Sequence, residues 1–315
     1  MFKKILEKII EFDTIIVHRH KRPDGDCMGT QAGLVHTLRN SFPNKKIYAV
    51  GDDIPEYLSF IGLSDEVSDD LYKDALVIVC DSGAEKLISD ERYKLGSFLI
   101  KIDHHYPQGE YGDLAYVETT RESCAGVIAK FLIEKRFKLN DAAASALFTG
   151  MVTDSGRFRY SSTNSETYKI ASELMKYKID TEYIYNKIYV DKLANVKLKA
   201  KLIDKFVVLD SGVAYLINTK EEIKEYNVPI YDVSRGMVNI MAGIEEICIW
   251  VNFSEDESGD IYCEFRSNGK NVNVVATKYG GGGHLQASGT TVYSFDTVKE
   301  IIKDLERVAR GEECL

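Results

Sequence analysis

Long hydrophobic runs are missing from this chain. No stretch of about 18 apolar residues occurs, which excludes a helical membrane span at the sequence level. Proline is scarce, and glycine is scattered apart from one cluster near the C-terminus, so collagen-like and low-complexity classes are excluded. The six cysteines, Cys27, Cys80, Cys124, Cys248, Cys263 and Cys314, form no CxxC pair and follow no regular spacing. Neither a zinc ribbon nor a disulfide framework fits, and the expected compartment is reducing, that is, cytoplasmic. A basic stripe is also lacking. With a formal net charge of −9 the chain does not read as a protein that tracks long nucleic acid. Any phosphate-bearing ligand must be held by a few local cations, which bound metal would supply.

What is present is the material of a two-domain globular protein: 315 residues, 44% hydrophobic and 28% charged. The N-terminal apolar residues Phe2, Ile5, Leu6, Ile9 and Ile10 fall at helical spacing and predict an amphipathic helix rather than a targeting segment. The first half then alternates strand and helix. Thr14–His18, Lys46–Val50, Ala75–Cys80 and Ser97–Ile102 are short β-branched runs, the last two too apolar to be half-exposed. Helices are predicted at Gln31–Leu38, at Ser123–Lys135 with Ser123 as N-cap, at Asp141–Val152, and at Glu166–Tyr177 after a cap signal at Asn164–Ser165. Such alternation implies right-handed crossovers in a mainly parallel sheet flanked by helices. Residues 1–185 are read as this first domain and 186–204 as a helical linker. Residues 205–315 are read as a smaller α/β domain, with strands at Val213–Asn218, Ile247–Phe253 and Ile261–Arg266 and helices at Val272–Tyr279 and near Asp296–Arg310.

Four acidic or histidine clusters follow these first-domain elements: His20, Asp24 and Asp26 after the first strand; Asp81 after ALVIVC; Asp103, His104 and His105 after SFLIKI; and Asp154 just past a helix. In an open parallel sheet the carboxyl ends of the strands share one edge, so these loops are expected to converge on one crevice. Singly, each acid reads as a turn or cap residue. Jointly they read otherwise, because four of the six histidines fall in the candidate motifs and His18 lies beside one. So many carboxylates repel one another unless cations fill the space between them. Carboxylate and imidazole donors without thiolate suit Mn²⁺ or Mg²⁺. Two ions about 3.5–4 Å apart would present a bridging hydroxide and clamp a phosphoryl group for in-line attack, the chemistry of phosphoester hydrolysis. Cys27 sits near the site as a potential soft ligand and is read as packing.

The chain resembles the DHH phosphoesterase superfamily, and most closely its two-domain DHH/DHHA1 group, which includes bacterial nano-RNase (oligoribonuclease) and pAp phosphatase. The resemblance rests on HRHKRPDGDCMGTQAGL, VCDSG, IDHH and TDSGRFRYSST in the first domain and on FRSNG and GGGGHLQASG in the second. It implies two Mn²⁺ sites, with His20 and Asp24 on one ion, Asp26 and His104 on the other, and Asp81 and Asp154 between them. His105 would contact the phosphate or leaving oxygen, and Asp103 would orient the imidazoles. Arg266, Ser267, Gly281, Gly282, Gly283 and His284 would bind substrate. The implied activity is hydrolysis of short oligoribonucleotides to mononucleotides and of adenosine 3′,5′-bisphosphate to AMP. A cyclic di-AMP or pApA phosphodiesterase is the alternative, and a non-catalytic nucleotide-binding protein the alternative from another class. No long nucleic acid and no membrane are expected as partners. Oligomeric state is left open, with a homodimer among the options.

Overall fold

The computed structural model describes residues 1–51, 54–106 and 109–312. Contacts divide the chain into two compact units, Met1–Val190 and Asp191–Leu315. In the first unit the elements are α1 (Phe2–Glu11), β1 (Thr14–His18), α2 (Gly25–Ser41), β2 (Lys46–Val50), β3 (Ala75–Cys80), β4 (Phe98–Asp103) and β5 (Leu114–Val117). Four helices follow: α3 (Cys124–Glu134), α4 (Asp141–Asp154), α5 (Ser165–Leu174) and α6 (Thr181–Tyr189). All five strands are parallel, in the order β2-β1-β3-β4-β5. Every residue of β3 is buried, as its unbroken apolar run requires for a strand covered on both faces. Leu34 and Leu38 of α2, Val127 of α3 and Leu147 and Met151 of α4 share one core with the strands. Each such side chain contributes about 1.5–3 kcal/mol on burial.

The helix boundaries follow from their caps. Ser123 accepts from the Gly126 amide at the start of α3, Asn140 from Ala143 at α4, and Asn164 from Glu166 and Thr167 at α5, where Thr167 completes a capping box. One boundary differs from the sequence reading with consequences for function. The helix expected at Gln31–Leu38 begins at Gly25, with Asp24 as its N-cap. Glycines 25, 29 and 33 weaken the local helical signal, but they allow α2 to pack closely: a Cβ on Gly29 would lie 2.4 Å from the Ala146 carbonyl of α4. Asp154, expected just past its helix, is the last residue of α4.

The second unit contains α7 (Leu193–Lys205), β6 (Val207–Val208), β7 (Val213–Asn218), α8 (Lys220–Tyr226), α9 (Ile230–Ser234), β8 (Ile249–Glu255), β9 (Ile261–Ser267), α10 (Asn273–Lys278), β10 (Gly282–His284), β11 (Ala287–Val292) and α11 (Phe295–Arg310). Its six-stranded sheet runs β10-β11-β9-β8-β7-β6, with only β7 and β8 parallel among the pairs. The segment read as a linker is divided, since α6 closes the first unit and α7 opens the second. Among the described residues no helix is long and apolar enough to cross a membrane. Five cysteines are free thiols, and Cys314 lies outside the described residues.

Candidate metal centre

The three adjacent central strands β1, β3 and β4 deliver His20, Asp81 and Asp103–His105 to one edge of the first sheet. The first turn of α2 and the last residue of α4 bring Asp24, Asp26 and Asp154 to the same place. Asp81 is central. Its Oδ2 lies 3.5 Å from His20 Nε2, and its Oδ1 lies 3.6 Å from His104 Nε2 and 3.5 Å from His105 Nδ1. On the His20 side, Asp24 Oδ1 is 3.9 Å from the same Nε2. On the His104 side, Asp26 Oδ2 is 3.6 Å and Asp154 Oδ2 is 3.4 Å from that ring's Nε2. Two donor groups therefore meet at one carboxylate. All eight residues expected at this site are brought together, and Asp154 groups with His104 and Asp26.

Local hydrogen bonds aim the donors. His20 Nδ1 is 2.7 Å from the Lys21 carbonyl and His104 Nδ1 is 3.2 Å from the Arg121 carbonyl. Each contact fixes the tautomer with the proton on Nδ1, so the Nε2 lone pair points into the crevice. Asp103, fully buried, accepts at Oδ1 from the amides of His104 and His105 and from His105 Nδ1 at 2.8 Å, while Lys101 Nζ stands 3.3 Å from Oδ2. Asp26 accepts from the Cys124 and Ala125 amides at the start of α3, at 2.7 and 2.8 Å. That helix terminus favours a negative charge.

The electrostatics match a place for cations. Burial drives the Asp81 carboxyl well above the usual carboxylate range, and the charges of Asp26 and Asp24 add to the effect. Asp154 is pushed up to about 8, by burial and then by Asp26. Burial also raises Asp26, against the pull of His104 and the α3 amides. Burial opposes charge on His104, but Asp26 and Asp154 outweigh it and raise that imidazole. Asp103 moves the other way: burial would raise it, but the hydrogen bonds from His105 and the charge of Lys101 hold it below the usual range. Asp81 Oδ1 is buried and takes no hydrogen bond. A buried acceptor without a donor, 3.6 Å from the lone pair of His104 Nε2 and flanked by like charges, fits a divalent cation, and the oxygen–nitrogen donor set suits a hard or borderline ion.

Sequence reasoning placed the acids but missed the Arg121 carbonyl, since a backbone acceptor carries no residue signature. Cys27 was read as packing. It is fully buried, yet its Sγ falls within 4.8 Å of donor atoms of His20 and Asp81. Burial pushes its thiol up to about 12, so at neutral pH it stays a neutral packing group rather than a thiolate.

The close crossing of α2, α3 and α4 sets the carboxylate positions. A Cβ on Gly150 would lie 2.6 Å from Ala125 Cβ and 3.1 Å from Asp26 Oδ1. Gly150→Ala gains about 1 kcal/mol of helix propensity. Overpacking at this contact is expected to cost about 1–3 kcal/mol and to displace Asp26. Urea unfolding with and without added Mn²⁺ checks this: the variant should show a lower midpoint and a smaller metal-induced gain than the parent.

In the second unit, the register places His284 of β10 opposite Ala287 of β11, and Ala287 opposite Arg266 of β9. His284 and Arg266 thus occupy one row across three strands. The glycine cluster, expected to bind substrate, contributes Gly282 and Gly283 to edge strand β10. A Cβ on Gly281 would lie within 2.1 Å of the Gly289 carbonyl, and Gly283 has φ +139°, so here glycine is needed for strand packing. Ser267 donates to the Lys270 carbonyl, and Arg266 contacts Glu264 at 3.2 Å.

A parallel sheet that gathers acids and imidazoles at its carboxyl edge, followed by a separate mixed-sheet unit, defines a metal-dependent phosphoesterase. Residues 14–151 match the DHH family, N-terminal domain, and residues 228–311 match the DHHA1 domain. The chain belongs to the DHH family of phosphoesterases, hydrolases that depend on metal. It is 38% identical over 99% of its length to all of the "Bifunctional oligoribonuclease and PAP phosphatase NrnA" of Bacillus subtilis (strain 168). It is 27% identical over 89% of its length to 44% of the "Cyclic-di-AMP phosphodiesterase GdpP" of Geobacillus thermodenitrificans (strain NG80-2). Among solved structures it is similar to an exopolyphosphatase-related protein from Bacteroides fragilis, with TM-score 0.89 and 27% identity, covering 98% of this chain and 97% of that one.

Proposed function

We propose that this enzyme hydrolyses short oligoribonucleotides to mononucleotides and adenosine 3′,5′-bisphosphate to AMP, using two Mn²⁺ ions in the cytoplasm. The observation that carries the reading is the doubled donor group around Asp81, one carboxylate oxygen toward each imidazole Nε2. The full-length similarity to a relative named for both activities supports the substrates. The free buried thiols, among them Cys80 and Cys124, support the compartment.

In this reading His20, Asp24 and Asp81 hold one ion, and Asp81, Asp26, His104 and Asp154 hold the second. The ions supply Lewis acidity at the phosphoryl group and an activated nucleophile. Lys21 and Arg121 keep the imidazoles in the ligating tautomer through their carbonyls. His105 orients on Asp103 through its Nδ1 hydrogen bond and delivers a proton to the departing oxygen. Arg266, Ser267, Gly281–Gly283 and His284 bind the substrate's remaining phosphate or base, with the phosphate competing against Glu264 for the Arg266 guanidinium.

The test offers the purified protein labelled di- to pentaribonucleotides, adenosine 3′,5′-bisphosphate, cyclic di-AMP, pApA and pyrophosphate with Mn²⁺. Mononucleotides from the RNAs and AMP from the bisphosphate are expected, both abolished by chelator. Preferential turnover of cyclic di-AMP or pApA would transfer the function to the reading suggested by the GdpP similarity. Binding without turnover of any compound would sink both.

A further inference from the structure

Six non-glycine residues among those described have left-handed backbone angles, and four of them lie in the loops of the metal centre: Arg22, Asp81, Arg157 and Phe158, with φ of 53°, 56°, 64° and 61°. The other two have a local reason. Asn227 is the left-handed C-cap of α8, and Arg136 follows the C-cap of α3, where such a residue ends a helix and a cation suits the terminus. No such reason covers Arg22 or Arg157. Arg22 precedes Pro23, between His20 and Asp24. Arg157 follows Gly156, which at φ +57° is already enough to stop α4. Glycine would meet the backbone demand at either position without strain. An arginine kept there points to the side chain.

We propose that Arg22 and Arg157 are substrate-binding residues that grip a non-scissile phosphate of the nucleotide, beside the phosphate held at the metal centre; this rests on the proposed function. Both side chains are exposed, and among the described residues neither takes part in an ion pair. Arg157 is held in place without losing its donors. Its guanidinium carbon stacks 4.7 Å from the centre of the Tyr189 ring, which uses the face and leaves the N–H edge available to a phosphate. The turn beneath it is fixed on both sides: Phe158 packs against Phe148 and Tyr168, and its amide donates to Ser155 Oγ at 2.9 Å. The Arg157 amide donates to the Val152 carbonyl at 2.8 Å. In a chain of net charge −9, these arginines are local cations set beside a cluster of acids that the metals alone would neutralise. Adenosine 3′,5′-bisphosphate and a 5′-phosphorylated oligoribonucleotide each carry a second phosphate, so each needs such a partner.

Glycine separates this role from a structural one. Arg22→Gly and Arg157→Gly relieve backbone strain, so thermal midpoints should stay level or rise. KM for a 5′-phosphorylated diribonucleotide and for adenosine 3′,5′-bisphosphate should rise about tenfold in each variant, with kcat held within about twofold. Arg157→Lys should fall between, because an ammonium lacks the bidentate fork. Arg136→Gly, with the same backbone relief away from the site, should leave KM and kcat unchanged. If the wild type turns over both substrates and the two glycine variants keep its KM, the inference is overturned. A fall in midpoint with joint loss of kcat and KM also overturns it, by showing a folding role. A wild type inactive on both substrates removes the proposed function first, and the inference falls with it.

Discussion

Asp81→Asn is expected to lower kcat/KM on a diribonucleotide by more than about 100-fold, since even partners that only support a ligand are worth about 10–100-fold. Among the described residues Asp81 is the one side chain that faces both imidazole Nε2 atoms, so its loss weakens both proposed metal positions at once. The same change should raise the thermal midpoint of the chelated protein. In that state Asp81 is a buried carboxylate crowded by Asp26, Asp24, Asp103 and Asp154. An amide of the same shape removes that repulsion, and its N–H faces the Nε2 lone pair of His20 or His104. Steady-state kinetics with Mn²⁺ and a thermal melt in chelator measure the two effects. Unchanged activity, or a lower midpoint in chelator, would show that Asp81 is a structural cap and not a site residue.

Asp103→Asn should move stability in the opposite direction and still lower kcat, by about 10–100-fold. Asp103 lies one strand away in the same crevice, but its charge is matched. Lys101 stands 3.3 Å from Oδ2, and three N–H groups converge on Oδ1. Neutralising it leaves the Lys101 ammonium buried without a counter-charge, a defect expected to cost about 3–5 kcal/mol. It also weakens the hydrogen bond that orients the His105 ring. The fall in kcat should be accompanied by a lower midpoint with or without metal. Two acids of one site thus differ in sign because one has a cation in the fold and the other does not.

Much of the scaffold could be read from the chain. Thr14–His18, Lys46–Val50, Ala75–Cys80 and Val213–Asn218 stand in the structure with the ends expected, because apolar β-branched runs bounded by polar residues leave little choice of register. Strand β5, LAYV, escaped notice: it is an edge strand with no fully buried residue, so its pattern is that of a surface loop. Strand β10 was hidden by its glycines. Sheet order was not legible either, since pairing depends on packing between distant segments.

At the site, the side-chain donors were legible because acids and imidazoles cluster beside strand ends. The features that aim them were not. The carbonyls of Lys21 and Arg121 belong to no residue type in particular. The left-handed angles at Arg22, Asp81, Arg157 and Phe158 leave no mark on composition, and at these positions a sequence reader would expect glycine or asparagine. The beginning of α2 was misjudged for a related reason. Gly25 and Gly29 read as loop residues, whereas they admit α4 close enough to place Asp26 and Asp154 on one imidazole.

The most direct test of the account is crystallography of the protein grown with Mn²⁺, with diffraction collected at the manganese absorption edge. Two anomalous peaks are expected astride the Asp81 carboxylate, one bonded to His20 and Asp24 and the other to Asp26, His104 and Asp154. No peak in that crevice, or ions held only by other residues, would contradict it.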